Sequence, residues 1–81
     1  MADGSIPTGV RKRSVSIRGH RTSYSLEPEF AAELEAMATR RGISVAALVA
    51  EIDAARPTGS NLSSAIRVYV LKAVKHAAAR D

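Results

Sequence analysis

The sequence predicts a mainly α-helical domain fronted by a short β-ribbon, and three observations carry that prediction. Apolar and polar residues alternate with period two ahead of residue 27, apolar stripes at helical spacing follow it, and Gly or Pro separates the stripes. The chain has 81 residues and no cysteine, so it holds one small domain that neither disulfides nor thiolate metal sites can staple. A partner subunit is the remaining way to enlarge so small a core.

Residues 1–12 lack periodicity and read as a flexible arm that turns basic at Arg11 and Lys12. From there, Val15 and Ile17 alternate with Ser14, Ser16 and Arg18, and Tyr24 and Leu26 alternate with Ser23 and Ser25. The first apolar pair is odd-numbered and the second even-numbered, so one flat strand cannot bury both on a single face. A bulge or a turn must intervene, and Gly19 is the place for it. Whether residues 14–18 form a separate strand from the rest of 14–26 stays open at this point.

Glu27-Pro28-Glu29 opens a helix over about 28–41, since proline suits the first helical position and acids complement the positive end of the dipole. Phe30, Leu34, Met37 and Ala38 make its apolar stripe, and Gly42 is a left-handed cap. Ser44 caps a second helix over about 44–55, striped by Val45, Leu48, Val49 and Ile52 and stopped at Pro57. Asn61 caps a third helix over about 61–79, with a broad stripe of Leu62, Ile66, Tyr69, Val70, Ala73, Val74 and Ala77 flanked by Val68 and Leu71. A stripe that wide asks for burial on two sides, which a dimer core would supply. Tyr24, Leu34, Leu48, Ile52, Ile66 and Val70 are the predicted core.

The net charge of +4 is unevenly spread. Five bases stand against Asp3 up to Ser25, six acids stand against Arg40 and Arg41 from Glu27 to Asp53, and five bases stand against Asp81 thereafter. A basic front ahead of an acidic helix suggests that the front meets an anion. A solvated mixture of charges accounts for the pattern equally well. No phosphate-cradling glycine loop, nucleophile elbow or Cys-His pair is present, so catalysis is not expected and no cofactor is implied. His20 and His76 lack carboxylates at ligand spacing, so no metal site is expected. The N-terminus has no basic region leading into an apolar one, and no run reaches transmembrane length. A cytoplasmic, nucleoid-associated protein is expected, with no membrane partner.

The stretch from Gly19 to Glu27, the helix after it, the corner Gly42-Ile43-Ser44 and the second helix together resemble the ribbon-helix-helix superfamily of bacterial repressors, the MetJ/Arc group. More narrowly, Arg18-Gly19-His20-Arg21-Thr22-Ser23, Glu51-Ile52-Asp53 and Asn61-Leu62-Ser63-Ser64-Ala65-Ile66-Arg67 resemble a family of short bacterial ribbon-helix-helix domain proteins, over residues 13–71. The resemblance implies an intertwined homodimer with an additional C-terminal helix, in which one strand from each subunit pairs to form a ribbon that enters the major groove of double-stranded DNA. It implies a transcriptional regulator, a repressor or an antitoxin-like protein with a toxin as further partner.

On that reading Arg21, Ser23 and Ser25 point outward to base edges, because arginine can bond guanine through two donors and a serine hydroxyl can donate or accept. The same positions would serve as the wet side of any half-buried strand. Ser44 and Val45 would offer amides at a helix N-terminus to a phosphate, or simply cap the helix, and Asn61 with Ser63 is the other place for that clamp. Arg11, Lys12, Arg13, Arg18 and His20 would touch phosphates. A protein-interaction dimer on the same scaffold, without DNA binding, is the competing function, motivated by the acidic first helix and the wide stripe of the third.

Overall fold

The computed structural model describes residues 9–79. Two antiparallel strands, β1 (Arg11–Ile17) and β2 (His20–Leu26), form a hairpin, and three helices follow: α1 (Pro28–Arg41), α2 (Val45–Ala55) and α3 (Leu62–Ala79). The hairpin answers the parity flip in the sequence. Arg18 and Gly19 are its only loop residues and both have positive φ, 50° and 81°, as the two-residue turn that matches strand twist requires. The register pairs Ile17 with His20, Val15 with Thr22, Arg13 with Tyr24 and Arg11 with Leu26, which brings the odd-numbered apolar residues of β1 and the even-numbered ones of β2 to the same face.

One expectation is settled and another corrected here. Residues 14–18, left open in the sequence, belong to a strand of their own, which the Arg18-Gly19 turn returns directly onto β2. Arg11 and Lys12, assigned to the arm, belong to β1, since pairing with Leu26 and Ser25 extends the strand beyond its apolar residues. The rest of that arm up to residue 8 lies outside the described residues.

The inner face of the hairpin packs on the helices. Val15, Ile17, Tyr24 and Leu26 meet Ala31, Leu34, Met37 and Ala38 of α1, Leu48, Val49 and Ile52 of α2, and Leu62, Ile66 and Val70 of α3 in one apolar core. All six predicted core residues are buried. The broad stripe of α3 divides. Leu62, Ile66 and Val70 face the core, Tyr69 and Ala73 are half-buried, and Val68, Leu71 and Val74 stay exposed.

Local chemistry sets the helix ends. Pro28 stands at the start of α1, and at its end Gly42 adopts φ 70° while Ile43 N–H donates to Ala38 O and Gly42 N–H to Thr39 O, a Schellman closure. Ser44 Oγ accepts from Ala47 N–H at 3.0 Å to cap α2, and Asn61 Oδ1 accepts from Ser64 N–H at 3.0 Å to cap α3. Arg41 grips Glu51 through two hydrogen bonds of 2.8 and 2.9 Å, tying the end of α1 to α2. In the connector before α3, Arg56 donates to Asp53 Oδ1 at 2.7 Å and to Ser60 O. No helix among the described residues is long and apolar enough to cross a membrane.

Candidate nucleic-acid interface

The outer face of the hairpin is built from the residues that the core leaves over. In the pairs Lys12–Ser25, Ser14–Ser23 and Ser16–Arg21 the side chains point away from the helices. The backbone shows how these pairs are spaced. Ser25 N–H donates to Ser63 Oγ at 2.8 Å, and Ser25 O accepts from Arg67 Nη2 at 3.3 Å, so both groups point away from β1. Lys12–Ser25 is therefore a non-hydrogen-bonded pair, and by the alternation of antiparallel ladders Ser14–Ser23 and Ser16–Arg21 are too. Side chains are closest in such pairs, so four hydroxyls and two cations share one narrow surface. Lys12, Ser14, Ser16, Arg21 and Ser23 are exposed and Ser25 is half-buried. The face carries no acid.

The helices hold this surface in place through β2. Arg67 Nε donates to Glu27 Oε1 at 2.9 Å while its Nη2 holds Ser25 O, so one guanidinium spans the strand end and the start of α1. The hydrogen bond from Arg67 holds the Glu27 carboxyl below the usual carboxylate range. With Ser63 on the Ser25 amide, α3 closes the end of the β2 edge that would otherwise be unpaired. This gives the Ser63 hydroxyl a structural task.

The predicted site residues are only partly gathered. Arg21 and Ser23 lie together on the outer face, with Ser25 at its shielded end and Lys12 across from it. Arg18 lies in the turn and His20 beside it, both exposed, with Arg18 3.9 Å from Asp53 of α2. Arg11 and Arg13 have the parity of the inner face. Arg11 is exposed at the strand end, whereas Arg13 is half-buried opposite Tyr24 and its Nε has no hydrogen-bond partner. Burial pushes the Tyr24 hydroxyl upward, an effect that the charge of Arg13 opposes. Ser44 and Val45 open α2, away from this cluster in sequence, and the Ser44 hydroxyl is engaged in capping.

Sequence reasoning missed Ser14 and Ser16. Their alternation with Val15 and Ile17 is plain in the sequence, but only a hairpin places them across from Ser23 and Arg21. It also missed the grip of Arg67 on Glu27 and Ser25, contacts between residues some forty positions apart that no local pattern signals.

Comparison with known proteins agrees with this geometry. No curated protein and no solved structure matches the chain. A family model does: that of the ribbon-helix-helix domain matches residues 10–74, from the start of β1 into the last turns of α3. As a family, these domains are DNA-binding regulators. A match spanning the hairpin, both following helices and most of the third shows that the chain belongs to the ribbon-helix-helix domain family.

Proposed function

We propose that the protein is a sequence-specific transcriptional regulator that lays the outer face of its hairpin in the major groove of double-stranded DNA and acts as a homodimer. The observation that carries this reading is the acid-free surface of Lys12, Ser14, Ser16, Arg21 and Ser23 on a two-stranded ribbon. A two-stranded ribbon fits a major groove about 12 Å wide, and a face without carboxylates meets phosphate-lined walls without repulsion. Arg21 is the residue that specifies, because its paired donors match guanine, and Ser14, Ser16, Ser23 and Ser25 adapt to several bases. Lys12, Arg11, Arg18 and His20 reach phosphates along the ribbon, while Arg13 adds positive potential from the inner side. The first amides of α2, at Ser44 and Val45, form a further phosphate contact supported by the helix dipole.

Contacts that specify and contacts that position respond differently to substitution and to salt. Arg21→Ala should cost about 1–3 kcal/mol on a duplex selected from random sequence and far less on a scrambled one. Arg11→Ala with Lys12→Ala should weaken both duplexes alike and make the salt dependence shallower by about two charges. Titrations of parent and variants against both duplexes at several salt concentrations read these effects. If Arg21→Ala binds both duplexes as the parent does at every salt, the ribbon is not the reading head.

A further inference from the structure

Ribbon and helices meet through two kinds of contact. The apolar one, between Val15, Ile17, Tyr24 and Leu26 and the helices, is non-directional and by itself leaves the tilt of the ribbon weakly fixed. The polar one is concentrated at a single residue. Among the described residues, the side-chain hydrogen bonds from the helices to the ribbon backbone both land on Ser25, whose N–H donates to Ser63 Oγ at 2.8 Å and whose carbonyl accepts from Arg67 Nη2 at 3.3 Å. Ser63 and Arg67 are four residues apart on α3 and so lie on one side of the helix, one turn apart. Together they offer the strand edge an acceptor and a donor, as a neighbouring strand would.

The same guanidinium reaches a third element. Arg67 Nε donates to Glu27 Oε1 at 2.9 Å, directly ahead of Pro28 where α1 begins, and the two side chains are only 30% and 36% exposed. The end of β2, the start of α1 and the first turns of α3 are thus joined at one point. The turn end of the ribbon is held more loosely, by an Arg18 side chain that is 59% exposed and 3.9 Å from Asp53.

We infer that Ser63 and Arg67 are positioning residues that set how sharply the ribbon discriminates between DNA sequences. This rests on the functional reading of the ribbon and deepens it. Ser23 and Arg21 follow Ser25 on the outer face at about 7 Å and about 14 Å along the strand. A tilt of about 5° at Ser25 therefore moves the backbone of Arg21 by about 1 Å, enough to carry a base contact of about 2.9 Å out of hydrogen-bond range. The attraction of Lys12 or Arg18 to phosphate falls only with the inverse of distance and barely changes over such a shift. Loosening the brace should therefore cost specificity and spare non-specific affinity.

Titrations of the selected and the scrambled duplex at several salt concentrations test this, with circular dichroism confirming that each variant is folded. Arg67→Lys keeps the charge but has no planar fork to serve Glu27 and Ser25 together. Ser63→Ala removes only a hydroxyl. In both, the ratio of the two affinities should fall at least about fivefold, the low end of one base contact, through weaker binding of the selected duplex and with the salt dependence unchanged. Ser63→Thr, which keeps the hydroxyl, should keep the parent's ratio. Arg21→Ala in the same titrations separates this inference from the reading beneath it. If Arg21→Ala loses discrimination while Arg67→Lys or Ser63→Ala retains the parent's ratio, the brace does not position the ribbon and the inference is overturned alone. Equal weakening on both duplexes with a shallower salt dependence overturns it too, since these residues would then be touching phosphate. If Arg21→Ala itself retains the ratio, the ribbon reading falls and takes the inference with it.

Discussion

Single residues do two kinds of work here, shaping the chain and joining distant parts, and Glu27 belongs to the second kind. The hydrogen bond from Arg67 depresses its folded pKa, so the folded protein keeps the carboxylate charged at a pH where the unfolded chain already takes up a proton. That contribution is fully present above the unfolded value and disappears as pH falls through the lower, folded one. Glu27→Gln should therefore leave the protein less stable near neutral pH. The gap between variant and parent should close below about pH 4.3, as thermal melts across that range would show. A gap that persists unchanged into strong acid would mean that the ionic contact contributes nothing.

At the scale of elements, the hairpin depends on its turn. Gly19 sits at φ 81° with open space around its α-carbon, so an added methyl group meets no neighbour and only backbone strain opposes it. Gly19→Ala should cost about 1 kcal/mol. Arg18, at φ 50°, already bears a penalty of that kind, and Arg18→Asn should recover part of it because asparagine tolerates the left-handed region. Urea denaturation of the two variants should move in opposite directions. Movement in the same direction would show that the link of Arg18 to Asp53, 3.9 Å away, outweighs the turn.

For the whole molecule, the decisive feature is that one chain closes its own core. Leu26, Leu48, Val49 and Ile66 are completely buried without help from a partner, and the ladder of the hairpin is satisfied within the chain. The buried residues of the hairpin and of all three helices form one continuous core within the chain. Ile66→Ala leaves a cavity beneath the hairpin and should lower the unfolding free energy by about 2–5 kcal/mol. The loss should be the same size in the parent and in the Leu71→Lys, Val74→Lys background, because Ile66 faces the core and those residues face away. Chemical denaturation of the four proteins checks both statements. A loss confined to the parent background would mean that Ile66 and the exposed side of α3 are energetically coupled.

Much of this was legible in the residues alone, where chemistry is local. The parity flip between Val15-Ile17 and Tyr24-Leu26 demands a break at Gly19, proline and the first-turn acid open α1, and Gly42, Ser44 and Asn61 cap helices through bonds to residues within four positions. The three recurring motifs were enough to indicate the family and a mainly α fold with an N-terminal ribbon. What only the tertiary structure decided is which strand pairs with which, and hence which residues form the candidate interface. Alternation determines the face a residue occupies but not its cross-strand neighbour, so Ser14 and Ser16 join Arg21 and Ser23 only once β1 folds back on β2. The same holds for α3, whose stripe reads as uniformly apolar. Packing alone divides it into a buried face of Leu62, Ile66 and Val70 and an exposed face of Val68, Leu71 and Val74, because helical periodicity reports how wide a stripe is and not how much of it the rest of the chain can cover.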